Sequence, residues 1–546
     1  MRFINQSSNY RTVFFLIVAF YCFVLARFGL ENFDTGYIPS FSWRILQGQI
    51  VYHDFIYKGP PVTLYFHAFF MKILPETGQF LWIRVVNYLL FAMQVYLTVS
   101  AFDNLYNLSK YKVEKWGLLC LGFIVSLINF SPYPWPTTDG ILFAVLAFWL
   151  VSKVRKPNYW QFFFIALFSV LSALTKQSFY LVPFFFLFWI TIKFERKIIV
   201  AFSFFLFFWL SVFIYLVAKT IGFADFVKQT TGETHLNDLI STGLYNYIFL
   251  PPKIFLLIAL FLVVVGLLFL KSKSKGIDGL LPFFKWLSIC LFVLAIVFCF
   301  VKEIEIASRI AFVSALFGLV FSFGFKLENT QKLAPVLVGL GIAWSSSISL
   351  GYQYPIFFST GIVLCIIVTV GQEIREYSKY FASVSILVCA IAFSYNYRPY
   401  RESVITELTY SLDTVSPKLK YIKTSKTNFQ KYSELKKLIN TYGKNFIVAP
   451  SFPMANYVFD EQSQLPADWL IETEVGRRQE MFIRLAASKD NFVFLEKSFL
   501  EKEEFMPEKK EQFSSIGAFI YEKFNLVAET KYFLVYNSIK NNEELP

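Results

Sequence analysis

Apolar runs separated by short polar loops follow one another along most of this chain, up to about residue 396. The runs are roughly 16–22 residues long, the length at which a helix crosses a lipid bilayer. This pattern predicts an α-helical polytopic membrane protein with about thirteen transmembrane helices. The candidate spans cover about 13–29, 80–101, 115–131, 138–152, 159–174, 178–192, 198–218, 253–270, 281–301, 308–325, 333–349, 355–371 and 380–396.

The composition agrees with a membrane protein. The 546 residues are 56% hydrophobic, 20% aromatic and only 16% charged, whereas soluble proteins carry about 25% charged residues. The first run is too long and too apolar for a typical signal sequence and precedes no clear cleavage site, so we expect an uncleaved helix. The six cysteines lie inside apolar runs and the three histidines are scattered, so their spacing predicts no metal or redox motif.

The net charge of +13 comes mainly from short loops between the apolar runs. Basic loops at 110–115, 153–156, 193–197 and 271–275 share one side of the membrane if the N-terminus is cytoplasmic, as the positive-inside rule expects. This distribution argues against nucleic acid as a partner. An odd number of crossings then places the C-terminal tail on the outer side, together with the long loop 31–79.

Two domains are predicted: a transmembrane domain of residues 1–399 and an outward-facing soluble α/β domain of residues 400–546. In the tail an amphipathic helix precedes a short apolar strand twice, and "NLVAETKYFLVYN" follows as a closing pair of strands. Within the outer loop, prolines and apolar stripes predict two helices lying on the membrane surface, at about 38–47 and 60–74.

Asp34 stands near the start of the stretch "ENFDTGYIPSFSWRILQGQIVYHDFIYKGPP". An ionisable residue at the bilayer interface is costly unless it is used, so a functional role is the first hypothesis. The alternative is an aspartate that caps the helix starting near Ile38. The surrounding residues favour a function, and those that we consider candidates for substrate binding are Tyr37, Arg44, His53, Asp54 and Lys58.

The pattern "FDTGY…WRILQG…VYHDF…GPP" resembles the first outer loop of GT-C membrane glycosyltransferases. The similarity is greatest to the bacterial branch near the protein mannosyltransferases and the lipid A aminoarabinose transferases. The resemblance implies a GT-C fold in the plasma (inner) membrane and transfer of a sugar, a hexose or a pentose, from a polyprenyl-phosphate carrier. The acceptor is an envelope glycan, a lipid or a protein, and the sequence does not identify it.

In that family an aspartate early in the first outer loop acts as the catalytic base, and Asp34 occupies this position. Many relatives carry a second acid directly after it, whereas this chain has Thr35. A sugar phosphate has a good leaving group, so the main requirement is a base that accepts the proton of the attacking hydroxyl. Direct displacement would invert the anomeric configuration. No cofactor is expected to be required.

The departing lipid phosphate gains negative charge, so cations should face it. The candidate ligands of the lipid phosphate are the cations Lys176, Arg309 near the start of a span, and Arg84 at the start of the second span. The neutral Gln177, next to Lys176 in "ALTKQSF", is a further candidate. The "TKQ" turn is similar to a recurrent turn in bacterial relatives. The alternative for the basic residues is that their side chains extend from helix ends to lipid headgroups.

Asp139, in the second outer loop, is a further candidate for substrate binding, with helix capping as the alternative. Some family members hold a divalent metal between acids of the first two outer loops. The scattered acids here make a poor cage, so no metal is predicted. Tyr352 and Tyr354 lie at a later outer turn, where they would either stack on a sugar or belong to the aromatic belt of the membrane interface.

Two other classes of protein remain open. One is a transporter or flippase of lipid-linked saccharides, although its typical internal repeat and broken helices are not recognisable in this sequence. The other is a non-catalytic protein of envelope assembly, which would keep the fold without requiring Asp34.

Overall fold

A computed structural model describes most of the chain. The described residues are 6–32, 34–108, 115–127, 133–231, 330–348, 358–371, 398–450, 452–470, 478–488, 491–497 and 510–537, together with Ile391, Val475 and short stretches between 287 and 315. The predicted spans at 253–270 and 380–396 lie outside this part of the chain almost entirely, and the site candidates Tyr352 and Tyr354 lie outside it completely.

Helices dominate the N-terminal part of the chain, as the apolar runs predict. The helices are α1 (Gln6–Phe23), α2 (Tyr37–Leu46), α3 (Val62–Ile73), α4 (Gln79–Tyr106), α5 (Lys115–Ser126), α6 (Pro136–Lys153), α7 (Tyr159–Ala173), α8 (Val182–Lys193), α9 (Arg196–Thr220), α10 (Phe223–Thr231), α11 (Thr330–Ser347) and α12 (Thr360–Gly371). Helix α4 packs on α1, α5, α6 and α12, and α6 packs on α7.

Two of the described helices, α4 and α9, are long and apolar enough to cross a membrane. Helix α9 exposes most of its side chains, whereas α4 is largely buried among its neighbours. Other predicted spans are shorter helices in the structure, among them α5 and α7. A largely helical chain with two membrane-spanning candidates is therefore observed, and the expected total of about thirteen stays a prediction.

The helices run alternately between two ends of a bundle. At the end that carries the predicted basic loops, Asn104 donates a hydrogen bond to Ser152, and Tyr106 donates to the carbonyl of Lys332. At the opposite end, the backbone N–H of Val62 donates to the carbonyl of Leu174 at 3.2 Å. We call these the basic end and the loop end. The described parts of the predicted outer loops at 31–79, 132–137, 175–177 and 219–231 lie at the loop end.

The outer loop 31–79 contains the two predicted short helices, α2 and α3. Helix α3 exposes a stripe of large apolar residues, Tyr65, Phe69 and Ile73, four positions apart. Its opposite face is buried, and α2 packs closely on it. This division of faces is the one expected of a helix at a membrane surface.

The tail forms a small α/β unit with a four-stranded sheet in the order β3–β4–β6–β5. Strands β3 and β4 are parallel, and the other two contacts are antiparallel. The elements are β1 (Tyr410–Ser411), β2 (Lys423–Thr424), α13 (Lys426–Tyr442), β3 (Phe446–Ala449), α14 (Ala455–Phe459), α15 (Gln479–Ser488), β4 (Phe492–Glu496), α16 (Lys510–Lys523), β5 (Asn525–Glu529) and β6 (Phe533–Asn537). The two helix–strand pairs and the closing strands follow the predicted order.

The tail packs directly against the loop end. The N–H of Gly78 donates to the carbonyl of Pro417 at 2.9 Å, and the N–H of Ile56 donates to that of Pro466 at 2.7 Å. The Tyr457 hydroxyl donates to Gln79 at 2.9 Å. Loop and tail therefore form one continuous structure at this end of the bundle.

Candidate functional site

Asp34 lies buried at the loop end, 7% exposed, between the end of the first helical segment and α2. One of its oxygens, Oδ2, accepts a hydrogen bond from the Tyr400 hydroxyl at 2.9 Å. The same oxygen lies 3.5 Å from Nη1 of Arg401. Gly36 is the N-cap of α2 and no side chain caps this helix, so the alternative that Asp34 is its cap is wrong.

Burial sets the proton affinity of Asp34. It raises the pKa of this carboxyl above the ordinary value, while the Arg401 guanidinium and the Tyr400 hydroxyl act in the opposite direction. The pKa of Tyr400 is raised by burial and by the negative charge of Asp34, so its hydroxyl keeps its proton and remains a donor. The carboxylate is therefore a stronger base than one in water, and it is held by two side chains.

Glu31 supplies a second carboxylate beside Asp34. Its Oε1 accepts hydrogen bonds from the backbone N–H and the hydroxyl of Thr35, both at 2.6 Å. Its Oε2 lies 3.8 Å from Nη1 of Arg401. Thr35 directly follows Asp34 in the sequence. Here the neighbouring acid comes from Glu31, four residues earlier, and Thr35 holds it.

Tyr37 is buried in an aromatic group three residues after Asp34. Its ring centroid lies 4.9 Å from that of Trp469 in the tail and 6.1 Å from that of Trp135 in the second outer loop. Both indoles are only partly buried, whereas Tyr37 is 8% exposed. The indoles, rather than the predicted tyrosine, therefore present aromatic surface at this place.

Asp139 lies in the first turn of α6 and is 2% exposed. Its two oxygens lie 3.0 and 3.2 Å from Nε2 of His67 on α3. This contact joins a surface helix to the helical bundle. The alternative that Asp139 is a helix cap is wrong, because Trp135 is the N-cap of α6 and its side chain makes no capping bond.

Lys176 lies in the turn between α7 and α8. Its Nζ donates to the carbonyl of Ile348 at 2.7 Å and to Thr137 Oγ1 at 3.3 Å. The amine is thus directed into the protein, at the meeting point of three outer loops, and does not extend to headgroups. Burial lowers the pKa of the Lys176 amine to about 7.

Gln177, the next residue, joins two further loops. Its amide donates to the carbonyl of Lys58 and to that of Thr230, the latter at 3.3 Å. The Lys58 backbone thereby lies beside Lys176, whereas His53 and Asp54 form an exposed turn away from it, with Nδ1 and Oδ1 2.8 Å apart. A backbone hydrogen bond from Ile50 lowers the pKa of Asp54.

Two predicted ligand-binding arginines are buried and bonded inside the protein, although Nε of Arg84 has no hydrogen-bond partner among the described residues. Arg44 forms an ion pair with Asp468 at 3.1 Å and donates to the carbonyl of Leu465 at 2.7 Å. Arg84 donates to the carbonyls of Ala26, Phe28 and Gly29 at the end of the first helical segment. Arg44 attaches the outer loop to the tail, and Arg84 caps a helix end, so neither is proposed further as a substrate ligand.

Arg309 is buried, 5% exposed, within a short described helical stretch of residues 309–315. Most of the chain around it is outside the described residues, so its predicted role as a phosphate ligand stays a prediction. The predicted roles of Tyr352 and Tyr354 also stay predictions.

No group of three or more His, Cys, Asp or Glu side chains suited to a metal ion occurs among the described residues. Glu31 and Asp34 both face Arg401, whose Nη1 lies 3.8 Å from Glu31 Oε2 and 3.5 Å from Asp34 Oδ2. That no metal is required stays a prediction.

The sequence reasoning missed Glu31, Tyr400, Arg401 and Trp469 as parts of the site. Tyr400 and Arg401 stand directly at the predicted start of the tail, in "NYRPYRES". Two tyrosines and two arginines next to the last span suggest only an interface anchor, so no local signal connected them with Asp34. Their contact follows from the docking of the tail on the loop end.

Comparison with known proteins gives no further identification. No known family model matches the sequence, and a search of curated proteins finds no similar chain.

Proposed function

We propose that this protein is an integral membrane glycosyltransferase that moves a sugar from a polyprenyl-phosphate carrier to an envelope acceptor at the outer face of the plasma membrane. The observation that carries the proposal is the Asp34 carboxylate. It is buried at the loop end, with a raised pKa and two fixed partners, where the first outer loop meets the start of the tail. Buried carboxylates of this kind are typical of catalytic bases. The resemblance of the first outer loop to GT-C enzymes supports the same reading.

In the proposed reaction Asp34 accepts the proton of the acceptor hydroxyl while the oxygen of that hydroxyl attacks the anomeric carbon. The bond from the sugar to the carrier phosphate breaks, and the phosphate leaves with the bonding electrons. Attack from the face opposite the phosphate inverts the anomeric centre. Tyr400 and Arg401 both contact Oδ2 of Asp34. The other oxygen, Oδ1, is therefore the proposed proton acceptor.

The proposed place for the donor phosphate is the turn at Lys176. The amine is directed inward among loops, and its two hydrogen-bond acceptors are both neutral oxygens. A lysine ammonium has three donor hydrogens, so one remains for a phosphate oxygen. The low dielectric of this partly buried position strengthens its attraction to an anion.

The proposed surface for a sugar ring is formed by the indoles of Trp135 and Trp469, which contact Tyr37 from different parts of the chain. Asp468 holds the segment beside Trp469 in place through its ion pair with Arg44. Partly exposed aromatic rings with such support are suited to the apolar face of a sugar.

The test of this function is the variant Asp34→Asn, which keeps the size of the side chain but removes the base. We expect transfer to fall by on the order of 10²–10⁴, with normal protein level. The reaction product is first identified by comparing the lipids and glycans of cells with and without the gene. Transfer in membranes is then measured by mass spectrometry of that product.

The matched control is Asp225→Asn, since Asp225 is an exposed acid at the start of α10. This variant should transfer the sugar at the wild-type rate. Transfer by Asp34→Asn at the control rate would exclude Asp34 as the base. Unchanged lipids and glycans, combined with altered movement of lipid-linked sugar across the membrane, would instead indicate a flippase.

A further inference from the structure

The two partners of Asp34 both come from the start of the tail. Tyr400 donates its hydroxyl proton to Oδ2 at 2.9 Å, and Nη1 of Arg401 lies 3.5 Å from the same oxygen. The Arg401 guanidinium also lies 4.9 Å from the Tyr400 ring centroid, so the two side chains support each other. We call Tyr400 and Arg401 the tail clamp.

The backbone around the tail clamp is fixed to the end of the first helical segment. The N–H of Leu30 donates to Glu402 Oε1 at 2.9 Å, and Asn428 donates to the Leu30 carbonyl at 2.9 Å. Gly29 lies so close to Pro399 that an added Cβ would be 2.8 Å from the Pro399 Cβ. The residues on both sides of the clamp are therefore attached to the residues just before Asp34.

Arg401 has a positive φ of 54°, in the left-handed region that residues other than glycine rarely adopt. Such a conformation costs on the order of 1 kcal/mol or more and persists only where surrounding contacts impose it. The attachments of Glu402 and Pro399 are those contacts. The strained backbone directs the guanidinium toward the two acids, Glu31 and Asp34.

We propose that Arg401 is the positioning residue of the Asp34 base: with Tyr400 it orients the carboxylate and keeps it charged, so that the tail domain is a required part of the site. This proposal deepens the proposed function and rests on it for the role of Asp34. The charge effect itself does not depend on any substrate. An arginine stays protonated and positively charged at physiological pH, so the tail clamp itself does not titrate in this range.

The other charged groups near Asp34 act less directly. Glu31 also faces Arg401, so the guanidinium interacts with both acids. The Thr35 hydroxyl and N–H donate hydrogen bonds to Glu31. Arg84 is bonded to backbone carbonyls of the first segment, and Glu402 accepts from Leu30, Thr424 and Asn428. Among the described residues, Arg401 is thus the cation in contact with Asp34.

The test is the thermal stability of the purified full-length protein in detergent, measured at about pH 7.5 and about pH 5. Arg401→Gln leaves the Asp34 carboxylate buried without its cation, which raises the Asp34 pKa further above its unfolded value. A carboxyl with a raised folded pKa regains stability as the pH falls, because the folded state then binds the proton. We expect the variant to melt on the order of 2 °C below wild type at pH 7.5 and to recover most of this loss at pH 5.

Two further variants identify the cause. Asp34→Asn/Arg401→Gln lacks the Asp34 carboxyl but keeps Glu31, so the recovery at pH 5 that is due to Asp34 should be missing from its melting temperature. Arg401→Lys should recover part of the loss at pH 7.5, because it restores a positive charge without the guanidinium geometry.

A loss in Arg401→Gln that is the same at both pH values, or that persists in the double variant with the same pH dependence, would overturn the proposal. A wild-type melting temperature at both pH values would also overturn it. This measurement needs no substrate, so it is independent of the transfer assay of Asp34→Asn. If Asp34→Asn transfers normally while the pH pattern appears, the clamp is real and the proposed function is wrong.

Discussion

At the residue scale, a charged side chain that the sequence suggests as a ligand for the substrate can have a structural role in the folded chain. In the sequence, Arg44 lies in a predicted surface helix and Arg84 at the start of an apolar span, and both are candidates for binding the substrate or its phosphate. In the structure Arg44 is paired with Asp468, 424 positions later, and Arg84 caps a helix end. A buried ion pair of this kind is set by docking of distant segments, so the sequence could not distinguish it from a ligand site.

Asp34 shows the opposite case. The cost of an ionisable residue near the bilayer, together with the residues around it, singled it out as a candidate, and the structure places it in a buried, bonded position. The sequence could not identify the side chains that contact Asp34, because Tyr400 lies 366 residues away along the chain.

The Lys176 amine leads to a prediction on pH. Burial lowers its pKa to about 7, so the amine loses its positive charge as the pH rises through that value. We expect binding of an anionic lipid-phosphate donor to weaken between about pH 6 and about pH 8.5, by about 10-fold or more, the range of a lost charge-assisted bond. Donor titrations of the purified protein at several pH values measure this.

Lys176→Arg is the matched variant for that prediction. Arginine keeps its charge throughout this pH range, so the decline in donor binding between the two pH values should disappear. Lys176→Met should bind the donor weakly at both pH values. Equal donor binding by wild type and Lys176→Met would place the phosphate elsewhere.

At the scale of secondary structure, periodic apolar patterns gave good guidance. The helices predicted at about 38–47 and 60–74 correspond to α2 and α3, and the helix–strand pairs of the tail appear as α13–β3 and α15–β4. The predicted surface position of α2 is not observed, because this helix is buried from Tyr37 to Arg44. These patterns are local, so they need no knowledge of distant contacts. Helix α16 was not predicted, since it has a weak apolar face, and the sheet order depends on long-range pairing.

The contact between α2 and the tail gives a prediction for Gly36. A Cβ at this position would lie 2.2 Å from the Met454 Cβ and 3.0 Å from its Cα, so backbone has to move. We expect Gly36→Ala to cost on the order of 1–3 kcal/mol, as overpacking does. Thermal unfolding of the purified protein and the rate of proteolysis of the tail both report this change.

Gly517 on α16 provides the control, because a Cβ there meets no atom within 4 Å. Gly517→Ala should leave the melting temperature unchanged or raise it slightly, since alanine favours a helix over glycine. If Gly36→Ala also melts at the wild-type temperature, this result contradicts the close packing of α2 on the tail.

At the scale of the whole molecule, hydrogen bonds divide the described loops into two groups. Loops predicted to be cytoplasmic meet at the basic end, and those predicted to be outside meet at the loop end together with the tail. Charge bias alone predicted this division. The number of crossings and the choice of membrane face remain predictions, because segments between 232 and 286 and between 372 and 397 lie outside the described residues apart from Ile391.

The orientation is tested by labelling single cysteines in a variant whose six native cysteines are replaced. Lys156 and Gln462 are both exposed, the first at the basic end and the second in the tail. We expect Gln462→Cys to react with a membrane-impermeant maleimide on spheroplasts. Lys156→Cys should react only after the membrane is permeabilised. The reverse pattern would place Asp34 on the cytoplasmic side and exclude an outer-face reaction.

The long separation between Asp34 and Tyr400 also affects the order of events during synthesis. Ribosomes add roughly 5–20 residues per second, so roughly 20–70 s pass between the synthesis of these two residues. During that interval the first loop can already be exported while its clamp does not yet exist. We therefore expect a nascent chain to be inactive in the proposed sugar transfer until the tail has crossed the membrane and folded. Under the proposed glycosyltransferase function, an incomplete chain would therefore not consume lipid-linked sugar.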